Sequence, residues 1–524
     1  MTERIPPGRR RFLAFASGTA LLGAVPSIAK SGSPPGRAPG EFKPDLEIEL
    51  RAVQDQVAIL PGAETRVWRY RAKVLQGDAG AVTTFPRSYL GPAIRVYRGT
   101  RVRIHFINEL PQPSVVHWHG LIVPEAMDGH PRFSVQPGGR ILYEFEVRNR
   151  AGTYWFHPHS HGHTGEQVYG GLAGLFIVLD EEERALGLPD GEHDVTLVIQ
   201  DRSFTADNQL RYIDDTGMSG MMARMMGFHG EQVLVNGQMD FKLTVERKSY
   251  RLRLLNGSNS RICKLTWQNG APLTVIGSDG GLLEAPVQKP YVMLAPAERV
   301  ELWVDFSGWA PGEERLLQSL PVAAAGGGRL MGGMMNMMGG APSKSDSVIP
   351  VLTVRSGSGA AEQQQLPQRL ATFAPLQLDR AANRSRPRTF HVTMDRMRWG
   401  LNGRVFEMND VAPDEVVRLG STEVWEFVND ASMGMMGGMP HPMHIHTAQF
   451  RVIKRSVRPG AESAWRDVNE GLVDEGWKDT VLVMPGETVR LLMRFSGYAG
   501  LFLYHCHNLE HEDMGMMRNF LIKA

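Results

Sequence analysis

One strand–turn–strand phrase occurs three times in this chain, and it limits the possible folds more than any other feature. Each copy joins two runs of alternating apolar and polar residues by a short turn and ends in Asn; the copies span 95–108, 244–256 and 417–429. A second phrase follows every copy, at 135–139, 294–298 and 483–487, and leads into another alternating run. A repeated strand unit of this kind predicts three homologous β-sandwich domains.

Helical periodicity is scarce after the first thirty residues, so the chain is predicted to be all-β. Its 524 residues exceed what one hydrophobic core usually supports. A polar stretch at 180–192 and a low-complexity segment at 356–388 separate the repeated units. We therefore predict sandwich domains at 43–180, 190–355 and 385–524.

The first thirty residues differ from the rest of the chain. Arginines at 9–11 precede Phe12, Leu13 and a modest apolar run. This order is typical of a twin-arginine signal peptide, assigned to 1–29, and predicts export by the twin-arginine machinery to the periplasm or beyond. A basic tail or a membrane anchor is the alternative. The run is too short and too rich in Gly and Ser to span a bilayer, and no later segment is apolar enough, so no stable membrane span is expected.

Charge and cysteine content narrow the functional classes. Lys plus Arg (57) nearly balances Asp plus Glu (56), which argues against a nucleic-acid partner and favours a small or weakly charged substrate. Only two cysteines occur, so no disulfide framework is available. Cys263 lies in an apolar run and is predicted to be a buried thiol, whereas Cys506 is a candidate metal ligand.

Histidine pairs are the most unusual feature of the composition. With 17 His in the chain, chance predicts roughly half of one His-x-His pair. Six occur, at 117/119, 157/159, 159/161, 161/163, 444/446 and 505/507. Residues two apart on a strand project from the same face, so each pair presents two imidazoles side by side. Four such pairs are able to surround a metal cluster, and imidazole suits copper, zinc and iron.

Cys506 lies between the two histidines of the last pair, and the strand period directs its thiol to the opposite face. His441 lies an odd number of residues before the next histidine, which directs it toward the side of the cysteine. With His511 and Met516 downstream, the donors are one thiol, two imidazoles and a weak thioether, as in a blue-copper electron-transfer centre. A structural zinc site is the alternative, but zinc seldom uses thioether and would leave the other pairs unexplained.

Four segments together resemble the copper motifs of multicopper oxidases. They are His117-Trp118-His119-Gly120, His157-Pro158-His159, His441-Pro442-Met443-His444-Ile445-His446, and His505-Cys506-His507 through Met516. The resemblance covers nearly the whole chain after the predicted signal and looks closest to bacterial three-domain laccases and cuprous oxidases. It implies cupredoxin-like Greek-key β-sandwiches and four copper ions, one of type 1, one of type 2 and two of type 3.

The resemblance also implies a role for each ligand position. The type 1 ligands are His441, Cys506, His511 and Met516. The type 2 pair is His117 and His444, and the type 3 ligands are His119, His157, His159, His446, His505 and His507. The first and third domains then supply four cluster histidines each, so the cluster is expected at their interface with the middle domain as a spacer. For His161 and His163, a supporting or surface role is favoured over ligation.

The family mechanism moves electrons from a reductant to dioxygen. Substrate gives up one electron at a time to type 1 copper, Cys506 connects that site to the type 3 pair, and dioxygen is reduced to water. Because the reaction consumes protons, carboxylates near the cluster are expected as donors. Asp128 and Glu512 fall where cuprous oxidases have acidic proton-relay residues; a solvated loop carboxylate is the alternative for each.

Methionine is concentrated abnormally, with 18 of the 27 in four stretches: 218–226, 331–338, 433–443 and 514–517. Thioether favours copper(I), so methionines in Gly-rich loops predict capture of cuprous ions. The predicted substrate-copper residues are Met331, Met334, Met335, Met337, Met338 and Met439. Cuprous oxidases tend to have an acid where this chain has Gly437, so the match is partial. Gap filling at a promiscuous surface and sacrificial oxidation are the alternatives.

Competing functions use the same residues differently. A laccase oxidising phenols or aromatic amines would need the same coppers and an open apolar cleft beside His441 or His511. A metal-free structural or division-associated scaffold is disfavoured because all twelve ligand positions are filled. A copper store or chaperone would explain the methionines but not the dioxygen cluster. We therefore predict a multicopper oxidase that favours copper(I), also oxidises small phenolic or aromatic reductants, and contributes to copper tolerance.

Overall fold

The computed structural model describes residues 42–213, 217–322, 347–374, 376–430 and 438–524. The predicted signal peptide and the methionines at 331–338 lie outside the described residues. Within the described ranges, strands form six sheets that pack in pairs around three hydrophobic cores. The predicted all-β fold is confirmed; the exact domain boundaries stay a prediction.

The first sandwich carries two of the histidine pairs. Its strands are β1 (Leu46–Val57), β2 (Thr65–Gln76), β3 (Val82–Thr83), β4 (Ala93–Tyr97), β5 (Arg101–Asn108), β6 (Val116–His119), β7 (Arg140–Glu146), β8 (Gly152–Pro158) and β9 (Gly174–Leu179). The sheet orders are β2-β1-β5-β7 and β3-β4-β9-β8-β6. Trp118 and Phe156 point into the core from β6 and β8, so the residues on either side of them project from the other face of the sheet.

The second sandwich contains Cys263, which is buried and unpaired, as predicted. Its strands are β10 (Asp194–Arg202), β11 (Gln232–Val235), β12 (Gln238–Met239), β13 (Lys242–Val245), β14 (Ser249–Asn256), β15 (Cys263–Trp267), β16 (Leu273–Ser278), β17 (Gly281–Lys289), β18 (Val292–Leu294), β19 (Arg299–Asp305), β20 (Glu314–Ser319) and β21 (Ile349–Ser356). The sheet orders are β12-β11-β10-β14-β19-β16-β17 and β13-β21-β20-β15-β18.

The third sandwich carries the remaining predicted ligands. Its strands are β22 (Arg388–Asp395), β23 (Arg398–Leu401), β24 (Val416–Arg418), β25 (Thr422–Asn429), β26 (His441–Ile445), β27 (Phe450–Val457), β28 (Thr480–Val483), β29 (Glu487–Arg494), β30 (Gly500–Cys506) and β31 (Met517–Lys523). The sheet orders are β23-β22-β25-β29-β27 and β24-β31-β30-β26-β28. Cys506 and Met516 belong to its hydrophobic core.

Helices are short and lie between strands. The α-helices are α1 (Thr164–Gly170), α2 (Glu181–Arg184), α3 (Gly217–Met226), α4 (Glu462–Arg466) and α5 (Leu509–Asp513). The 3-10 turns are Ala79–Ala81, Glu125–Met127, Pro131–Phe133, Gly191–His193, Leu378–Arg380, Pro413–Glu415 and Asn469–Gly471. Among the described residues, none of these helices has the length and apolar character needed to cross a membrane.

The sequence repeat has the same structural role in each sandwich. Its first strand (β4, β13 or β24) joins one sheet and its second strand (β5, β14 or β25) joins the opposite sheet. The closing Asn donates its side-chain amide to the carbonyl that opens the second phrase. The pairs are Asn108 with Val135 at 2.8 Å, Asn256 with Leu294 at 2.8 Å, and Asn429 with Val483 at 3.2 Å. Because buried carbonyls need a donor, this bond ties the two phrases together and explains why they recur as a pair.

Candidate metal centres

Four strands bring eight of the predicted ligand histidines together. β6 and β8 pair so that His117 lies opposite His157, and β26 and β30 pair so that His444 lies opposite His505. The second histidine of each pair lies two residues farther on. All eight are at most 1 % exposed, and they meet between the first and third sandwiches. We call them the histidine cluster; its members are His117, His119, His157, His159, His444, His446, His505 and His507.

Six members of the histidine cluster form two trios in which ring nitrogens approach one another within 3.1 to 3.4 Å. One trio is His159, His446 and His505, and the other is His119, His157 and His507. In the first trio Nε2 of His505 faces both partners, and in the second Nε2 of His157 does so. These trios contain the six positions predicted as type 3 ligands.

His117 and His444, the predicted type 2 pair, have free ring nitrogens. Their Nδ1 atoms donate to the backbone carbonyls of Asp128 at 2.6 Å and Asp479 at 2.8 Å. Nε2 is therefore the lone-pair nitrogen of each ring, and both Nε2 atoms are buried without a hydrogen-bond partner among the described residues. A buried lone pair is costly unless a donor or cation occupies it. The residues therefore fit a metal ion.

Burial keeps seven members of the histidine cluster in the form that binds metal. It lowers the pKa of His157 to about 4, because an imidazolium loses hydration when it leaves water. For the same reason it holds the pKa well below the usual 6.5 for His117, His119, His159, His444, His446 and His507. These rings are neutral at pH 7, and neutral imidazole is the coordinating species.

The two predicted proton-relay carboxylates both lie against the histidine cluster. Asp128 Oδ2 accepts a hydrogen bond from Nδ1 of His446 at 2.7 Å. Glu512 Oε2 lies 3.2 Å from Nδ1 of His505, and its Oε1 lies 3.6 Å from Nδ1 of His159. Both carboxylates are at most 1 % exposed, so neither is a solvated loop group. Burial also raises the pKa of Asp128 well above its usual value.

A second buried group lies on the other face of β30. Cys506 Sγ is 3.5 Å from Nδ1 of His441 and 3.7 Å from Nδ1 of His511. Met516 is fully buried in the same core; its carbonyl accepts from the Cys506 amide at 3.1 Å and its amide donates to the His511 carbonyl at 2.9 Å. The four predicted type 1 ligands are thus adjacent, and we call them the thiol site.

The thiol site is also prepared for a cation. Burial lowers the pKa of His511 to about 3 and the pKa of His441 well below its usual value, so both rings are neutral. It raises the pKa of the Cys506 thiol, and a bound cation reverses that effect by stabilising the thiolate. Nε2 of His511 donates to a backbone carbonyl, that of Met225, at 2.9 Å. This bond leaves Nδ1 as the lone-pair nitrogen beside the sulfur.

Helix α5 follows β30, and its successive residues also contact different sites. Its residue Glu510 accepts hydrogen bonds from Tyr212 at 2.6 Å and Asn259 at 2.9 Å, both beyond the third sandwich. The next residue, His511, belongs to the thiol site, and Glu512 contacts the histidine cluster. One helical turn therefore connects both candidate centres to the second sandwich.

Helix α3 covers the thiol site. The Met225 carbonyl accepts from His511 and from Trp399 Nε1 at 3.0 Å. The Trp399 ring lies 4.8 Å from the His441 ring and 5.0 Å from the His511 ring, centre to centre. The sequence suggested a loop for the first methionine stretch, and that expectation is wrong. Ala, Arg and Met all favour helices, and they outnumber the glycines in this segment.

Sequence reasoning missed two residues beside the histidine cluster. His119 Nε2 lies 3.0 Å from Asp479 Oδ1 and 3.2 Å from Thr480 Oγ1. Asp479 in turn pairs with Arg299 of the second sandwich at 2.5 Å. No local pattern indicates this contact, because 360 positions separate His119 from Asp479. The middle domain therefore reaches the surroundings of the cluster rather than acting only as a spacer.

The remaining predicted residues belong to neither the histidine cluster nor the thiol site. His161 is exposed, and His163 precedes α1, 3.8 Å from Glu166. Neither belongs to a metal-ligating group among the described residues. Met439 is 5 % exposed and packs in the core of the third sandwich. Outside the described residues lie Met331, Met334, Met335, Met337, Met338 and Gly437.

Comparison with known proteins identifies the family. Two family models, each described as multicopper oxidase, match residues 67–183 and 381–524. A laccase of Bacillus stratosphericus is 33 % identical and aligns over 83 % of this chain and 89 % of its own length. The cell division protein FtsP of Dickeya dadantii is 31 % identical over 98 % of each chain.

Solved structures agree with the sequence matches. The crystal structure of the McoA multicopper oxidase of Aquifex aeolicus is 32 % identical and superposes with a TM-score of 0.74, covering 92 % of this chain and 97 % of that one. This likeness confirms the predicted cupredoxin-like fold. The protein belongs to the bacterial multicopper oxidases, copper-containing oxidoreductases that use dioxygen to oxidise a reductant.

Proposed function

We propose that this multicopper oxidase holds four copper ions at two separate centres. The thiol site would hold one type 1 copper, the pair His117 and His444 one type 2 copper, and the two trios one type 3 copper each. When bound, copper accepts single electrons from the reductant and supplies them to dioxygen. The observation that carries the proposal is the placement of Cys506 and its neighbouring histidines on opposite faces of β30.

The protein itself contributes ligand orientation and dryness. Hydrogen bonds to the outer ring nitrogens hold six cluster histidines with their lone pairs inward, namely His117, His119, His157, His444, His446 and His505. Second-layer bonds of this kind tune metal ligands. Burial of every cluster histidine excludes bulk water. Asp128 and Glu512 lie against four of these rings between them. We infer that both carboxylates supply protons during oxygen reduction.

Copper(I) is the reductant that we propose first. Helix α3 supports this choice, because it contacts the thiol site through the Met225 carbonyl and contains several methionines. Met221, Met222 and Met226 on this helix are partly exposed, and thioether sulfur selects cuprous ions. The segment 331–338 supplies further thioethers by sequence. A role in copper tolerance would follow from this activity.

Two variants test the choice of reductant. Deleting 331–338, or changing both Met221 and Met222 to Leu, is expected to lower kcat/KM for copper(I) at least about tenfold, the loss of roughly 1.4 kcal/mol of binding. Oxidation of a phenol should stay unchanged or increase, because the thiol site itself is intact. Leu replaces exposed Met397 and Met408 in the control, which should keep both activities. An equal loss of both activities in the test variants would contradict a cuprous site.

A phenol-oxidising laccase is the second candidate. It is supported by the similarity to a protein named laccase and by Trp399, whose ring packs on both histidines of the thiol site. A high phenol rate that survives both methionine variants, together with negligible copper(I) oxidation in the wild type, would favour it.

We also propose export by the twin-arginine machinery to the periplasm. The support is the order of residues at 9–29. Changing Arg9 and Arg10 to Lys should retain the protein in the cytoplasm, measured by cell fractionation. Export of this variant at the wild-type level would contradict the proposal.

A further inference from the structure

One fully buried guanidinium lies where the three sandwiches meet. Arg299 opens β19 in the second sandwich and is 1 % exposed. Its Nε donates to the Thr153 carbonyl of the first sandwich at 2.9 Å. Nη1 and Nη2 donate to the Ala297 and Asp279 carbonyls of its own sandwich, at 2.9 and 3.0 Å. They also donate to both carboxylate oxygens of Asp479 in the third sandwich, at 2.8 and 2.5 Å.

Asp479 in turn contacts two members of the histidine cluster. Its Oδ1 lies 3.0 Å from Nε2 of His119, a ligand on the first sandwich. Its backbone carbonyl accepts from Nδ1 of His444 at 2.8 Å, a ligand on the third sandwich. These two bonds leave Nδ1 of His119 and Nε2 of His444 as the lone-pair nitrogens. One residue therefore sets the tautomer of a predicted type 3 ligand and of a predicted type 2 ligand.

The Arg299 and Asp479 side chains are packed tightly against the backbone of Gly120. A Cβ at Gly120, the residue after His119, would lie 2.4 Å from Asp479 Oδ2 and 2.9 Å from Arg299 Nη2. Gly120 also has a φ of +83°, which residues with a Cβ rarely adopt. The chain that leaves the first histidine pair thus runs directly against the Arg299 and Asp479 side chains.

A contribution to stability does not by itself explain a buried ion pair such as Arg299 and Asp479. Burying two charges costs several kcal/mol of desolvation, and well-packed apolar residues often serve as well. Bidentate geometry, by contrast, gives orientation. We infer that Arg299 is a positioning residue of the middle domain, which holds Asp479 so that His119 and His444 present the correct nitrogens to the type 2 and type 3 coppers. The inference rests on the proposed copper assignment.

The test is Arg299→Lys, which keeps the positive charge and loses the planar fork. We expect copper affinity at the type 2 position to fall about 10- to 100-fold, as for other supporting partners of ligand histidines. The EPR signal of type 2 copper should change, and reoxidation of the reduced enzyme by dioxygen should slow by a similar factor. The blue absorption and the anaerobic reduction of the thiol site should match the wild type.

Arg251→Lys is the matched control. Arg251 is 2 % exposed in the same sandwich and pairs with Glu183 and Glu301, away from both metal centres. It should cost comparable stability in urea unfolding and leave the EPR signal and copper affinity unchanged. Asp479→Asn provides a second test if Arg299→Lys fails to fold, because it removes the same charged contact from the other side.

The outcomes separate this inference from the copper assignment. If Arg299→Lys and Asp479→Asn keep wild-type copper affinity and EPR signals while losing only stability, Arg299 is structural and the inference is overturned. If the wild-type protein itself binds no copper in the histidine cluster, the proposed function fails instead.

Discussion

Replacing Cys506 by Ser is expected to abolish the blue absorption and reduce turnover to background, while the histidine cluster still binds copper. The sulfur is the soft donor of the thiol site, and it lies 3.5 and 3.7 Å from the ring nitrogens of His441 and His511. A hydroxyl is a poor substitute for thiolate with copper. His505 on β30 and His507, which follows the last residue of that strand, both contact other histidines of the cluster, so their positions should persist. Visible absorption, oxygen consumption and EPR of type 2 copper measure the three effects.

Cys263→Ser is the control for this prediction. Both cysteines are unpaired and at most 1 % exposed, but Cys263 packs in the apolar core of the second sandwich. A hydroxyl buried there should cost about 1–3 kcal/mol of stability, and the variant should stay blue and active. Retained turnover in Cys506→Ser would sink the proposed electron path.

Asp128→Asn is expected to slow oxygen reduction about 10- to 100-fold, the usual cost of losing a partner of a ligand histidine. Asp128 Oδ2 accepts from His446 at 2.7 Å and Oδ1 lies 3.6 Å from Nδ1 of His117, so this carboxylate contacts a proposed type 3 ligand and a proposed type 2 ligand. The amide removes both the charge and the transferable proton. Stopped-flow mixing of reduced enzyme with dioxygen measures this step.

The reductive half of the reaction should not change in Asp128→Asn, because the thiol site is separate from the carboxylate. Anaerobic bleaching of the blue absorption by the reductant is therefore the internal reference. Asp194→Asn serves as the control, since Asp194 is also buried but binds Arg253 and Arg95 between the first two sandwiches. Equal slowing of both half-reactions, or of Asp128→Asn and Asp194→Asn alike, would contradict a role at the cluster.

Local periodicity predicted the parts of the site that depend on one strand. The alternation along β30 was enough to separate Cys506 from its histidine neighbours, because side chains on a strand alternate between faces. The repeat predicted three sandwiches because each copy is a local unit. It contains one strand for each of the two sheets and an Asn that bonds the first phrase to the second. The roles of His117 and Asp128 came from the family resemblance and not from periodicity.

Contacts between sandwiches were beyond the reach of sequence patterns. Arg299 is the first residue of β19 and Asp479 immediately precedes β28 in a different domain, and only the packed structure brings them beside His119. Helix α3 was missed because its five methionines were interpreted as copper-capturing thioethers in a Gly-rich loop and not as helix formers. Its contact with His511 through the Met225 carbonyl depends on that helix and was equally invisible.

Copper content per chain, measured on the fully loaded wild-type protein and on Cys506→Ser, tests the central claim most directly. Two separate centres sharing β30 predict four copper ions in the wild type, with blue absorption, and three in the variant, without it. Equal copper content in both proteins, or a wild type that stays colourless after loading, would contradict the account and favour a cupredoxin scaffold without electron transfer.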